Sequence, residues 1–169
     1  MSRLPDLVAA ALAEGREALL ETEAYALLEA LGIAAPAHLV VPPDGPVPSL
    51  DGLPGERVVV KVLAPGVAHK SDRGGVRVVP RDRAAVAEAI AAMAPGFADA
   101  RVRGWLVAAF VEHDDRPGGE LLLGVRRTAE FGPVLLLGLG GLAAEWLARA
   151  LPPAVWRPSA GGTGPPAAA

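Results

Sequence analysis

Between Val58 and Val79 the chain reads VVVKVLAPGVAHKSDRGGVRVV. Two apolar, valine-rich runs flank a loop that carries His69, Lys70, Ser71, Asp72, Gly74 and Gly75, and Lys61 sits inside the first run. Glycines let backbone N–H groups approach an anion, and lysines neutralise it. A lysine-bearing strand followed by a basic, glycine-bearing turn is therefore one way to build a phosphate cradle. His69 adds a group able to accept a phosphoryl group or to shuttle a proton near neutral pH. The combination points to nucleotide chemistry rather than to simple anion binding.

Each of these residues also has a plainer reading. A lysine that interrupts an apolar strand often marks only its solvated face. Lys70 and Asp72 suit a local ion pair, or a turn in which Asp72 bonds backbone. His113, in VEHDDRPGGE, stands among acids and reads as solvated surface in preference to a metal ligand. Gly138, Gly140 and Gly141 suit a tight strand-to-helix turn, and equally a helix N-terminus that meets an anion. Glu120, with apolar neighbours, is a candidate for a surface pair as much as for a ligand contact.

The elements that position these groups follow from pattern. Leu7 to Leu20 is rich in alanine and leucine with scattered charges, which favours helix. A second helix is expected from Thr22, as N-cap, to Leu31, with Leu27, Leu28 and Leu31 as its apolar stripe and Gly32 as its stop. His38-Leu-Val-Val is a short strand. Residues 42 to 54 hold five prolines and two glycines and read as a loop. Val58 to Leu63 and Val76 to Val79 are the strands around the phosphate loop. Asp82 caps a helix running to Met93, with Ala85, Val86, Ala89, Ile90 and Met93 on one face. Trp105 to Val111 is a strand. Glu120 to Val125 and Pro133 to Leu137 suit a hairpin with a longer loop between them. A glycine turn at Gly138-Leu-Gly-Gly then leads to a helix at about Ala143 to Ala150. From residue 151 to 169 the chain is dominated by proline, glycine and alanine and reads as a disordered tail. The fold class expected is α+β, or mixed α/β, with a mainly antiparallel sheet and flanking helices.

Composition narrows the function classes. At 169 residues the chain suits one domain, or one and a half small ones. Hydrophobic residues make up 51%, enough for a sizeable core, although much of that is alanine. A net charge of −3 provides no global basic field for nucleic acid. The absence of cysteine excludes disulfides and thiolate metal sites. No stretch reaches the roughly 18 uninterrupted apolar residues of a membrane span. Pro5, Asp6, Glu14 and Glu17 break up the N-terminal apolar run, so no signal peptide is expected and a cytoplasmic location is the default.

Taken together, these stretches resemble the ATP-grasp domain of the NDP-forming acyl-CoA synthetases, which include ADP-forming acetyl-CoA synthetase and are relatives of the succinyl-CoA synthetase β subunit. LLETEAYALLEALGI is similar to the family's opening helix and turn, and VVVKVLAPGVAHKSDRGGVRV to its nucleotide loop. WLVAAFV sits where the family has its adenine-side strand, and GGELLLGVRRTAEFGPVLLLGLGG resembles its strand pair and glycine turn. The similarity covers about residues 18 to 147, and HKSD-x-GGV with FGP-x-x-x-x-GLGG are its most specific parts.

The resemblance implies a domain that grips ATP or ADP between two β-rich lobes. The implied reaction is acyl-CoA + ADP + phosphate ⇌ carboxylate + CoA + ATP, through acyl phosphate and phosphohistidine intermediates. It assigns Lys61 to the nucleotide phosphates, with Lys70 and Ser71 beside it, and Gly74 and Gly75 to the flexible phosphate loop. It gives His69 the phosphoryl relay and Glu120 a place on the nucleotide side near the ribose. Val107, Phe110 and Val111 fall on the adenine-side strand, where backbone around Phe110 and Val111 reads the base. The expected organisation is an N-terminal helix over 1–17, a partial ATP-grasp domain over 18–150 and a tail over 151–169.

Departures from the family pattern are also implied. The family's glutamine or glutamate and its methionine fall at Ala108 and Phe110, so one polar contact to adenine, worth ~1 kcal/mol, is expected to be lost. An aspartate of the hairpin falls at Thr128. Past Glu145 an aspartate and an arginine give way to Arg149 and Pro153. The rest of the second lobe, with the acidic and asparagine ligands for Mg2+, does not follow residue 150, and Glu145 is the sole nearby carboxylate. The chain therefore reads as truncated or split, inactive alone, and in need of the missing ATP-grasp part and a CoA-binding subunit or domain. No nucleic acid or membrane partner is expected. The alternatives are a non-catalytic nucleotide-binding or regulatory remnant, a truncated non-functional fragment, or the lobe of a fused synthetase–acetyltransferase.

Overall fold

The computed structural model describes residues 3–67, 70–114, 116 and 119–141, with backbone alone at 3, 4, 126 and 127. Two compact units divide the chain at Val111 and Glu112. The first holds helices α1 (Arg3–Ala13), α2 (Glu21–Ala30) and α3 (Arg83–Met93). It also holds strands β1 (His38–Val41), β2 (Arg57–Leu63), β3 (Val76–Pro80) and β4 (Gly104–Ala109). The second unit holds β5 (Leu121–Thr128) and β6 (Gly132–Leu139). The mixed α/β class and the mainly antiparallel sheet are those expected. Among the described residues no helix is long and apolar enough to cross a membrane.

In the first unit the four strands run in the order β1-β4-β2-β3, each antiparallel to its neighbours. Alternation along β2 sends Val58, Val60 and Val62 to one face, where they join Val41, Trp105, Val107 and the α3 residues Val86, Ala89 and Met93 in the core. The opposite face carries Lys61, opposite Val76 on β3 and Leu106 on β4, and His38, opposite Ala108. Asp82 caps α3 as its position suggests, accepting from the Ala84 and Ala85 N–H groups at 2.9 and 3.0 Å. The proline-rich segment from 42 to 56 is a loop, yet Val47, Leu50 and Leu53 within it are buried in the same core.

Two helix boundaries differ from expectation. The first helix ends at Ala13, not Leu20. Gly15 takes φ +68°, its N–H bonds the Leu12 carbonyl, and the Arg16 N–H reaches back to Ala11, which is a Schellman stop. The second helix starts at Glu21, with Leu20 rather than Thr22 at the N-cap. The Leu20 N–H is satisfied by the Glu23 carboxylate at 2.7 Å, the reach-back half of a capping box. That helix ends as Gly32 suggests, again in a Schellman pattern: Gly32 N–H to Glu29 and Ile33 N–H to Leu28. Of the expected stripe, Leu27 and Leu28 are half-buried and Leu31 is exposed.

The second unit is a hairpin with a tighter turn than expected. Its strands extend to Thr128 and Gly132, leaving 129–131 as the loop. The Thr128 hydroxyl accepts the Phe131 N–H at 3.1 Å and reaches the Gly132 carbonyl at 3.3 Å, while Gly132 sits at φ +67°. Gly138 belongs to β6, opposite Leu122, so the expected glycine turn is confined to Gly140 and Gly141. The helix expected at 143–150, Glu145 and the tail from 151 lie outside the described residues. Leu121, Leu122 and Leu123 on β5 and Leu135, Leu136 and Leu137 on β6 are each more than half exposed.

Candidate functional site

Lys61 and Lys70 come together on the α2 side of the sheet, and they meet on a carboxylate. Lys61 donates to Glu21 Oε1 at 2.5 Å, and Lys70 donates to Glu21 Oε2 at 3.3 Å. The Tyr25 hydroxyl, one helical turn on from Glu21, donates to Oε1 at 2.8 Å. Tyr25 in turn lies edge-on to the His38 ring at 4.9 Å. Burial would raise the Glu21 carboxyl, but the hydrogen bond and charge of Lys61, with Tyr25 and Lys70, more than offset it and hold the group below its ordinary range. Burial, reinforced by the Glu21 hydrogen bond, pushes the Tyr25 phenol well above its usual range, so it stays a donor.

The loop that carries Lys70 is held by packing. Ser71–Arg73 forms a single 3-10 turn that ends at Gly74, in the left-handed region at φ +70°. The Gly75 N–H bonds the Lys70 carbonyl at 2.7 Å, and the Val62 N–H bonds the Gly75 carbonyl at 3.0 Å, which continues the β2 ladder. A Cβ on Gly75 would stand 2.6 Å from Phe97 Cζ and 2.9 Å from Val62 Cγ1, so this glycine is required by the core beneath the loop. Arg73 fixes the other side. It donates to the Gly96 carbonyl and to Asp99, both at 2.6 Å, and covers the Phe97 ring at 4.8 Å. Beside Lys70 opens a cleft of about 580 Å3, lined among others by Arg16, Leu19, Leu20, Glu21 and Pro65.

The remaining sequence candidates are placed as follows. Val107 is fully buried in the core, on the face of the sheet away from Lys61. Ala108 is buried on the Lys61 face. Phe110 lies under the Arg57 guanidinium at 4.2 Å, and its N–H is taken by the Arg57 carbonyl at 3.2 Å. Val111 is exposed at the end of the unit. Glu120 belongs to the second unit, where its carboxylate lies 3.6 Å from His113 and occupies the space a Cβ on Gly141 would need. His69, the proposed relay, lies outside the described residues, between Val67 and Lys70. Among the described residues no three His, Asp or Glu side chains converge as a metal site.

Sequence reasoning missed Glu21 and Tyr25. An acid in the first turn of a helix reads as a dipole partner. The signal available was the i, i+4 spacing of Glu21 and Tyr25, which puts a carboxylate and a donor on one face.

The lysine pair thus stands beside a glycine-ended loop, on an antiparallel sheet. The ATP-grasp domain family matches residues 10–155. The chain belongs to that family. Among curated relatives of this ATP-grasp chain, the 4-hydroxybutyrate–CoA ligase (ADP-forming) of Nitrosopumilus maritimus is 32% identical over 138 residues, covering 79% of this chain and 19% of the relative. The β subunit of acetate–CoA ligase (ADP-forming) I of Pyrococcus furiosus is 29% identical over 147 residues, covering 87% of this chain and 63% of the relative. The solved acetyl-coenzyme A synthetase 1 of Ca. Korarchaeum cryptofilum, in complex with coenzyme A and Ca-AMPCP, matches with a TM-score of 0.70 and 32% identity over 85% of this chain and 62% of that one. The ATP-grasp chain thus corresponds to the ATP-grasp portion of ADP-forming acyl-CoA synthetases, and spans less than two thirds of these relatives.

Proposed function

We propose that this chain holds the phosphates of ADP and ATP through Lys61 and Lys70. In this reading it serves an ADP-forming acid–CoA ligase together with a partner domain or subunit that binds CoA and completes the grasp. The observation that carries the reading is the convergence of both lysine ammonium groups on one carboxylate, with a cleft that Lys70 and Glu21 line. Paired ammonium groups on a half-buried strand and a packed loop supply what a diphosphate needs: two fixed positive charges at one place. The Phe110 end of the sheet lies four residues along β2 from Lys61, about 13 Å at the rise of a strand, a distance an extended nucleoside diphosphate can span.

In the chemistry proposed, the neutral imidazole of His69 attacks the γ-phosphorus of ATP. A nitrogen–phosphorus bond forms as the bond to the bridging oxygen breaks, and ADP leaves. The phosphoryl group then passes to the partner, and the reverse sequence makes ATP. A divalent cation, when bound, neutralises phosphate charge during that transfer. Lys61 and Lys70 orient the phosphates and stabilise the charge that gathers on the leaving ADP.

Calorimetry with ADP and ATP, with and without Mg2+, tests the reading on the chain and on Lys61→Ala. Binding that is lost in the variant is the expected result. Phosphoryl exchange with a supplied partner is expected to vanish in His69→Ala while ADP affinity changes no more than about fivefold, the scale of a single neutral contact. A folded chain that binds neither nucleotide overturns the reading, and exchange that survives His69→Ala overturns the relay.

A further inference from the structure

The two lysines are already engaged by an anion that belongs to the protein. Glu21 opens α2, and its two oxygens divide between Lys61 and Lys70. A phosphate that takes both ammonium groups must therefore exchange with Glu21 or share them with it. The carboxylate carries one charge and a polyphosphate several, so the exchange runs in favour of the ligand once its concentration overcomes the local advantage of Glu21.

What the exchange releases is specific. No residue of α2 is buried, and Glu21 binds the first turn of the helix to β2 and to the phosphate loop. The connection preceding α2 has its own anchors. Arg16 forks onto Glu23 at 2.7 and 2.8 Å, Glu23 holds the Leu20 N–H, and Glu14 pairs with Arg103 beside β4. Further along the helix, Tyr25 rests on His38. Loss of the Glu21 tie leaves these in place and frees the start of α2 from the lysines.

We infer that Glu21 is a built-in competitor for the lysine pair, so that phosphate groups bound by Lys61 and Lys70 displace its carboxylate and loosen α2 from the sheet. The inference rests on the nucleotide reading only in naming ADP as the natural anion; the exchange itself is a property of the described residues. It makes α2 a reporter of whether the phosphate site is filled, a route by which a partner touching that helix would sense nucleotide.

Two measurements on the whole chain test it. The first is calorimetric affinity for ADP and for inorganic tripolyphosphate in the wild type and in Glu21→Gln, which keeps the side-chain shape and removes the charge. The second is amide hydrogen exchange over Ala24 to Ala30, free and saturated. Expected are binding about three- to tenfold tighter in Glu21→Gln, the scale of one partly buried ion pair, and faster exchange across α2 when wild type is saturated. The variant should show fast α2 exchange already, unchanged by ligand. The wild-type exchange comparison needs no variant, so a poorly folded Glu21→Gln leaves the test standing. If tripolyphosphate behaves so and ADP does not bind, the exchange holds and the nucleotide reading falls. If ADP binds while α2 exchange is unchanged or slower, or Glu21→Gln binds no tighter, the nucleotide reading holds and this inference falls. If neither anion binds, the inference is overturned.

Discussion

The Lys61 ammonium lies 2.5 Å from a carboxylate oxygen of Glu21, a residue forty positions earlier in the chain. Both side chains are about three-quarters shielded, at 25% and 22% exposure, so the pair is neither a solvated surface contact nor a dry interior one. That intermediate setting matters for both partners. Removing either charge alone leaves the other partly desolvated without its counterpart, whereas a second anion of suitable geometry can take the place of the carboxylate.

The first consequence is a pH dependence of stability. The Glu21 carboxyl titrates below its ordinary value in the folded chain because Lys61, Tyr25 and Lys70 outweigh its burial. A depressed carboxyl contributes stability that is fully present above the unfolded value of roughly 4.3, and that contribution disappears as pH falls through the lower folded value. Urea midpoints measured from pH 7 down to pH 3 should therefore fall more steeply in wild type than in Glu21→Gln. The gap between the two curves should be about 1 kcal/mol at neutral pH and should narrow as pH falls below the unfolded value, closing once it has passed the lower folded one. Glu23 is depressed mainly by its hydrogen bond from Arg16, and both proteins share that contribution, so the difference isolates Glu21. Parallel curves would show that the lysines do not stabilise the folded carboxylate.

How far the sequence reached differs by element. The β2 and β3 strands, the Asp82 cap and the buried face of α3 were legible because each rests on local pattern: alternation, a cap acid and a 3.6-residue stripe. The Gly15 stop was also local, yet the alanine- and leucine-rich stretch from Leu7 to Leu20 outweighs it in a propensity reading. The meeting of Glu21 with Lys61 and Lys70 was not legible, because it depends on how the α1–α2 segment packs across the sheet. In the sequence Gly75 reads as a residue of phosphate approach, and the fold adds a second reason for it, the Phe97 ring below. The β5 and β6 strands show the opposite limit. Their apolar runs suit strands covered on both faces, and among the described residues these leucines stand exposed.

The Asp82 cap offers a test of local stability. Its carboxylate accepts two otherwise unpaired N–H groups of the first turn of α3, from Ala84 and Ala85. That helix delivers Val86, Ala89 and Met93 to the core beneath β2. Asp82→Ala should lower the stability of the first unit by about 1 kcal/mol, and Asp82→Ser should recover most of it. Denaturant unfolding followed by far-ultraviolet circular dichroism measures both. A Ser variant as unstable as the Ala variant would mean that the charge, and not the hydrogen bonds, carries the effect.

Gly75 ties the core to the loop that carries Lys70, so a substitution there acts on both. Its φ lies outside the left-handed region, so backbone freedom is not what it supplies. An added methyl group would meet Phe97 Cζ at 2.6 Å, Val62 Cγ1 at 2.9 Å and the Lys70 carbonyl at 3.0 Å, all closer than van der Waals contact. Gly75→Ala is expected to cost about 1–3 kcal/mol, the usual range for overpacking a core. Because one of the three contacts is the backbone of Lys70, relief by local adjustment shifts that residue, and anion affinity should fall along with stability. In a Phe97→Leu background the ring that makes the closest contact is gone, so the penalty for Gly75→Ala should shrink, an energetic coupling that a double-mutant cycle of urea unfolding would measure. Equal penalties in the two backgrounds would place the strain on Val62 and the Lys70 carbonyl instead, and would predict a larger loss of anion affinity than of stability.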